Sequence, residues 1–223
     1  MLQAVIFDLD GTLLDTEADF TLILNLQLAA HGKQPVSGAS VRKSVSAGAG
    51  AIVQHGFGIA LSDPAYPGLL QEFLSLYSEQ IAITQATLFD DIDLLIATLV
   101  ENGLSWGIMT NKHRRFSEPL LAKFENFATS GTLVCPDDVG VGKPDPAGIV
   151  RACQQLGVEP GSAIYVGDHP RDIEAAQRAG MPGVAVSWGY LPEQPPLAEW
   201  GAELIVDNPQ ELISWCMQNL VTR

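Results

Sequence analysis

Six short apolar runs, Ala4 to Phe7, Leu104 to Met109, Thr132 to Cys135, Ala163 to Val166, Val184 to Val186 and Leu204 to Val206, are each bounded by turn residues. Runs this short, with little polar alternation, suit strands buried on both faces. Helical stretches separate most of them. Asp91 to Val100 is apolar at helical spacing and is closed by Gly103. Asp145-Pro146 reads as an N-cap followed by proline at the first helical position, with Gly157 as the stop, and Asp172 to Ala179 ends at Gly180. Asn208-Pro209 opens a last helix running toward Leu220. Strands alternating with helices predict an α/β fold, a parallel sheet covered by helices on both faces.

One interval breaks the rhythm. The segment from Asp15 to Thr87 is far longer than the dozen or so residues a single crossover needs. It predicts a separate helical insertion, with helices over Phe20 to Ala30, Val41 to Gln54 and Leu69 to Ile83, broken by Gly32, Pro35, Gly56, Gly58, Pro64 and Pro67. The expected organisation is a core of residues 1–14 and 88–223 and an inserted unit of residues 15–87.

The first apolar run ends in two acids one residue apart, Asp8 and Asp10, followed by Gly11-Thr12. Alternate side chains of an extended chain point to the same side, so the two carboxylates project together from the strand end. Like charges so close repel unless a cation lies between them. The pair suits a metal, and it suits a nucleophile beside an acid/base. Three further clusters follow. Thr110-Asn111-Lys112 emerges at the end of the Leu104 to Met109 run, and in parallel sheets ligands sit beyond the carboxyl ends of strands. Lys143 lies in Gly140-Val141-Gly142-Lys143-Pro144-Asp145-Pro146, where Pro144 occupies the place a nucleotide-binding Gly-rich loop gives to Ser or Thr, which rules that loop out. Asp168 and Asp172 follow another apolar strand four residues apart, so a helical turn beginning near Pro170 brings them to one side.

The chain has 223 residues and is 47% hydrophobic, enough for a proper core. Twelve Lys and Arg against 26 Asp and Glu give a formal net charge of −14, which repels nucleic acid and anionic membranes. Cys135, Cys153 and Cys216 are odd in number and widely spaced, so they predict neither a disulfide framework nor paired zinc ligands. The four histidines have no zinc-like spacing either. Apolar stretches such as Leu94 to Val100 are too short to span a bilayer, and the amino terminus has no basic region before an apolar one. A cytoplasmic protein is the expectation.

Taken in order, these clusters resemble the four motifs of the haloacid dehalogenase superfamily, over nearly the whole chain. The resemblance implies a Rossmann-like core with a helical cap inserted after the first strand, closing on two hinges. It implies a Mg²⁺-dependent phosphatase that uses Asp8 as nucleophile and Asp10 as acid/base, with Thr110 binding the phosphoryl group and Lys143 neutralising charge. Metal binding falls to Asp8, the backbone carbonyl of Asp10 and Asp168, with Asp172 either joining through water or orienting Lys143. Acid catalysis by Asp10 would need its proton affinity raised. The second aspartate argues against a dehalogenase, which needs no acid for an oxygen leaving group. The cap points to the phosphoglycolate phosphatase branch, shared with sugar phosphomutases of the β-phosphoglucomutase type, and a non-catalytic member of the fold would be expected to lack one of the catalytic groups.

A finer likeness, to phosphatases of N-acetylmuramic acid 6-phosphate in cell-wall recycling, rests on Trp106-Gly107, Arg115-Phe116, Glu118-Pro119, Cys135-Pro136-Asp137, Arg171-Asp172-Ile173-Glu174 and Trp200-Gly201-Ala202 together with the second and third motifs. Most of these residues lie in the core, whereas specificity usually comes from the cap. Within the insertion, Ser46 to Ala51 is a candidate substrate-contacting loop, and Arg42 and Lys43 are candidates for holding a distal anionic group; Asn111 joins Thr110 as a substrate-binding candidate. The expected partner is a small phosphorylated metabolite, with no nucleic acid or membrane, acted on by a monomer or homodimer.

Overall fold

A computed structural model describes residues 2–220. In chain order it contains β1 (Ala4–Phe7), β2 (Leu14–Asp15), α1 (Glu17–Ala30), α2 (Gly38–Val45), α3 (Ala49–Phe57), α4 (Tyr66–Gln80), β3 (Thr87–Leu88), α5 (Ile92–Glu101), β4 (Ser105–Met109), α6 (Arg114–Leu121), β5 (Leu133–Val134), α7 (Pro136–Val139), α8 (Ala147–Leu156), β6 (Ala163–Gly167), α9 (Pro170–Arg178), β7 (Gly183–Val186), β8 (Leu204–Val206) and α10 (Pro209–Gln218). All six expected strands form one sheet in the order β5-β4-β1-β6-β7-β8, every pair parallel.

The all-apolar sequence of β1 has its reason in this order. Every residue of the strand is buried, and period-two alternation divides it between two cores. Val5 and Phe7 join one cluster with Leu95 and Leu99 of α5 and Leu212 and Cys216 of α10. Ala4 and Ile6 join the other, with Ile149 and Cys153 of α8 and Ala175 and Ala176 of α9. Truncating a side chain as deep as Phe7 to alanine would cost about 3–5 kcal/mol. No helix among the described residues is long and apolar enough to cross a membrane.

Helices α1 to α4 pack on one another between the two strands of a short antiparallel ribbon, β2 with β3. Phe20 of α1 stacks on Phe73 and tilts against Tyr77, both of α4, which pins the first helix to the last. The helix expected over Val41 to Gln54 is two helices, because Gly48 adopts φ +88° and ends the run of turns. A continuous series of small and apolar residues conceals that break in the sequence. Helices α6 and α7 were not foreseen, and Pro119 inside α6 disguises it. Pro146 rather than Asp145 is the N-cap of α8, and the Asp145 side chain accepts a hydrogen bond from the Ala147 N–H at 2.9 Å.

Candidate active site

Three adjacent parallel strands, β4, β1 and β6, end at the same edge of the sheet, and the next residues are Thr110, Asp8 and Asp168. Parallel register therefore brings together residues more than 100 positions apart. Gly11 makes the close approach possible: it sits at φ +87°, and a Cβ there would lie 2.1 Å from Asp168 Oδ2. Asp8, Asp168 and Asp172 are buried and each offers a carboxylate oxygen within 4.8 Å of the others.

Among the described residues, the one ammonium inside this group is Lys143, itself buried. Its Nζ lies 2.8 Å from Asp8 Oδ2 and 2.8 Å from Asp172 Oδ1, and it donates to the Tyr165 hydroxyl at 2.8 Å. Tyr165 in turn donates to the Met109 carbonyl at 2.6 Å. The main chain of Lys143 is fixed by the Asn111 side chain, whose Oδ1 accepts from Lys143 N at 2.7 Å while its Nδ2 donates to the Lys143 carbonyl at 3.1 Å. Asn111 thus ties the second cluster to the third.

Electrostatics make the trio unstable as bare anions. Burial above all, with the charges of Asp172 and Asp8 next, pushes the Asp168 carboxyl up to about 7. Burial raises Asp172 as well, although Lys143 opposes it. Three carboxylates against one ammonium leave two negative charges, which a single divalent cation would cancel. An all-oxygen donor set of this charge has the hard character that Mg²⁺ requires.

Every hydrogen bond that holds Asp168 comes from a residue distant in sequence. Thr12 Oγ1 donates to Oδ1 at 3.1 Å, and Ser46 Oγ and the Tyr190 N–H donate to Oδ2 at 3.0 and 2.7 Å. Ser46 belongs to the turn between α2 and α3, so the helical insertion touches the cluster directly. Asp172 accepts from the His169 N–H at 2.9 Å at the start of α9. Burial first, then Arg171, pushes the His169 imidazole down to about 4, so it is neutral at physiological pH.

Asp10 faces away from the trio. Its carboxylate accepts from Thr16 Oγ1 at 2.8 Å and from Lys112 Nζ at 3.1 and 3.2 Å. Its side chain therefore lies outside the carboxylate cluster, leaving the backbone carbonyl as the only part of Asp10 available to a metal there. A cavity of about 250 Å³ opens between sheet edge and insertion, lined among others by Asp8, Asp10, Thr110, Asn111, Lys112, Arg171, Ser46, Phe20 and Tyr77.

Arg42 and Lys43 are not in its lining. Arg42 binds Asp15 at 2.9 Å and the Trp188 carbonyl at 3.4 Å, with its guanidinium 4.7 Å from the Tyr190 ring centre. Lys43 pairs with Glu193 at 2.8 Å on the surface. The turn of α2 directs both side chains to the 187–193 loop rather than the cavity, so the sequence proximity of these cations to the Ser46 loop misleads.

Sequence reasoning missed Lys112, Arg171, Ser46 as a contact of Asp168, Tyr165 and Tyr190. Lys112 and Arg171 sit inside recognised clusters and could have been noticed as extra cations. Tyr165 and Tyr190 carried no local signal.

A haloacid dehalogenase-like hydrolase family profile matches residues 5–186. The N-acetylmuramic acid 6-phosphate phosphatase of Pseudomonas aeruginosa is 46% identical over 213 residues, covering 95% of this chain and 93% of that protein. The phosphoglycolate phosphatase of Xanthomonas campestris pv. campestris is 37% identical over 211 residues, covering 94% of each. A haloacid dehalogenase-like hydrolase from Streptococcus pneumoniae superposes with a TM-score of 0.79 at 22% identity, over 96% of this chain and 98% of that one, a likeness of fold. Profile, relatives and sheet topology agree that the chain belongs to the haloacid dehalogenase-like hydrolase family.

Proposed function

We propose that the protein is a Mg²⁺-dependent phosphatase that hydrolyses a small phosphomonoester through an aspartyl-phosphate on Asp8. The observation that carries this reading is the convergence of Asp8, Asp168 and Asp172, the first and last of them paired with Lys143, beside a cavity under the helical insertion, residues 15–87, which serves as its cap. An oxygen of the Asp8 carboxylate attacks phosphorus as the bond to the leaving oxygen breaks, and Asp10 gives that oxygen a proton. Asp10 then takes a proton from the water that attacks the phosphoenzyme, which frees Asp8 and inorganic phosphate. Lys143 and Thr110 stabilise the phosphoryl oxygens as charge redistributes, and Asn111 keeps the Lys143 main chain in place. Asp8, Asp168 and the Asp10 main-chain carbonyl would hold Mg²⁺, with Asp172 orienting Lys143; the ion supplies Lewis-acid neutralisation of the phosphoryl oxygens.

The substrate supported by the 46% identical relative is N-acetylmuramic acid 6-phosphate, hydrolysed in the cytoplasm. A second reading, 2-phosphoglycolate, is favoured by the cavity of about 250 Å³. That volume is below the range usual for drug-sized ligands, so the larger ester requires the cap to open. The test is kcat/KM for both esters and for para-nitrophenyl phosphate, with Mg²⁺ and with EDTA, beside Asp8→Asn. Turnover that persists in EDTA, or in Asp8→Asn, removes the mechanism.

A further inference from the structure

The carboxylate of Asp168 is fully buried, and the core backbone is packed tightly around it. A Cβ added at Gly11 would lie 2.1 Å from its Oδ2, and one added at Gly189 would lie 2.3 Å from its Cβ. Among the described residues it accepts three hydrogen bonds, one on Oδ1 from Thr12 and two on Oδ2 from the Tyr190 N–H and Ser46 Oγ. Thr12 follows β1 and Tyr190 follows β7, so both move with the core. Ser46 does not. It sits in the inserted unit, on a turn closed by the Gly48 N–H bond to the Val45 carbonyl at 2.8 Å and continued by Gly48 at φ +88°. Val41 and Val45 are buried against the other helices of the insertion, so the place of the Ser46 hydroxyl is set by the place of that whole unit.

An ionised carboxylate has about four acceptor positions, so three donors leave one, on Oδ1, for a cation. The two oxygens are rigidly linked, and a donor that fixes Oδ2 thereby fixes Oδ1. Groups that hold a metal-binding carboxylate in this way typically change metal affinity by roughly 10–100-fold when removed. We propose that Ser46 is a positioning residue for Asp168, through which docking of the cap and binding of Mg²⁺ strengthen each other. The inference rests on the metal role given to Asp168 above and deepens it. With the cap docked, the Ser46 hydroxyl completes the pair of donors on Oδ2. With the cap displaced, Oδ2 keeps only the Tyr190 N–H, and the carboxylate gains freedom to turn about its Cβ–Cγ bond. An ion that binds the docked arrangement more tightly must favour docking by the same factor. The cap therefore closes more readily over a metal-loaded site.

The test is calorimetric titration of the substrate-free protein with MgCl₂, beside hydrogen exchange of residues 38–57 with and without Mg²⁺. Ser46→Ala should weaken Mg²⁺ binding by roughly 10-fold, and Ser46→Thr, which keeps the hydroxyl, by no more than about threefold. Both variants should melt within a few degrees of wild type in EDTA. Mg²⁺ should slow exchange over 38–57 in the wild type and have little effect there in Ser46→Ala. Undiminished Mg²⁺ affinity in Ser46→Ala, or wild-type exchange over 38–57 that ignores Mg²⁺, overturns the coupling and leaves the metal site standing. Ser46→Thr binding as weakly as Ser46→Ala also overturns it, because the hydroxyl would then not be the operative group. Asp168→Asn is the separate control. Mg²⁺ binding that survives undiminished there removes the metal role of Asp168, and with it the reading on which the inference rests.

Discussion

Replacing Asp168 with asparagine should stabilise the metal-free protein while destroying its function. In the folded chain Asp168 is buried beside Asp172 and Asp8 and its carboxyl is pushed up to about 7, against an ordinary value near 4 for the unfolded chain. Between those values the folded state binds more protons than the unfolded one, so stability falls as pH rises through this window. Asp168 carries no penalty below pH ~4 and its full penalty above pH ~7. A difference of about three units corresponds to about 4 kcal/mol. Asparagine removes that penalty but returns one acceptor where the carboxylate gave two, so Thr12 must reorient its hydroxyl, at about 1–2 kcal/mol. The expected net gain in EDTA at pH 8 is about 2–3 kcal/mol, or roughly 5–10 °C in Tm for a domain of this size. At pH 5 the penalty of the wild type has dropped to roughly 1–2 kcal/mol, the size of the hydrogen-bond cost, and the gain should nearly vanish. Differential scanning calorimetry at both pH values, with and without Mg²⁺, is the assay. A variant that melts no higher than wild type at pH 8 in EDTA, or a gain that survives undiminished at pH 5, refutes the view of the cluster as mutually repelling carboxylates. A Tm rise with Mg²⁺ that is as large in the variant as in wild type refutes the role of Asp168 toward the ion.

Asn111→Ala removes both hydrogen bonds that clamp the Lys143 main chain and should lower kcat by roughly 10–100-fold with a smaller change in KM, measured at saturating Mg²⁺. Gly11→Ala forces a side chain onto Asp168 at a positive φ, and should abolish both turnover and the Mg²⁺-induced rise in Tm; an active variant would mean the loop shifts freely. Arg42→Ala loses a partly exposed ion pair to Asp15 and the stacking on Tyr190, a cost of about 1 kcal/mol in the urea midpoint, with residual phosphatase activity retained. The Asp15 carboxyl is held below its ordinary value because the Tyr190 hydroxyl and Arg42 outweigh the opposing effect of burial. Its contribution to stability is therefore present above pH ~4 and lost on acidification, so the difference between wild type and Arg42→Ala should narrow as the pH approaches 3.

The strands and the four chemical clusters were legible because each is written locally. A buried parallel strand has to be apolar along its length, and the residue that follows it has to be the one used, so Phe7-Asp8, Met109-Thr110 and Gly167-Asp168 announce themselves. What was not legible depends on contacts across the chain. Ser46 reaches Asp168 across 122 positions, and Tyr190 reaches Asp15 across 175, with no local pattern to mark either residue. Lys112 was passed over because it was read only as the last residue of the Thr110-Asn111-Lys112 cluster, with no role of its own. The single helix expected across Ser46 to Gly48 failed because propensity sees small residues as permissive, whereas the fold uses Gly48 to turn the chain and present Ser46 inward.

The Tyr190 hydroxyl accepts from the Thr16 N–H at 2.6 Å and the Glu17 N–H at 3.0 Å, and donates to Asp15 at 2.6 Å. Helix α1 begins with no side-chain cap of its own, so its orphan amides are satisfied by a tyrosine from the far end of the chain. Arg42 grips the backbone of the same loop at Trp188. The helical layer and the segment after β7 are thereby coupled mechanically. A rocking movement of α1 to α4 must either drag that segment along or strip the Thr16 amide of its acceptor and leave the Glu17 amide to Asp15 alone, which confines low-cost motion to rotations pivoting near residue 190.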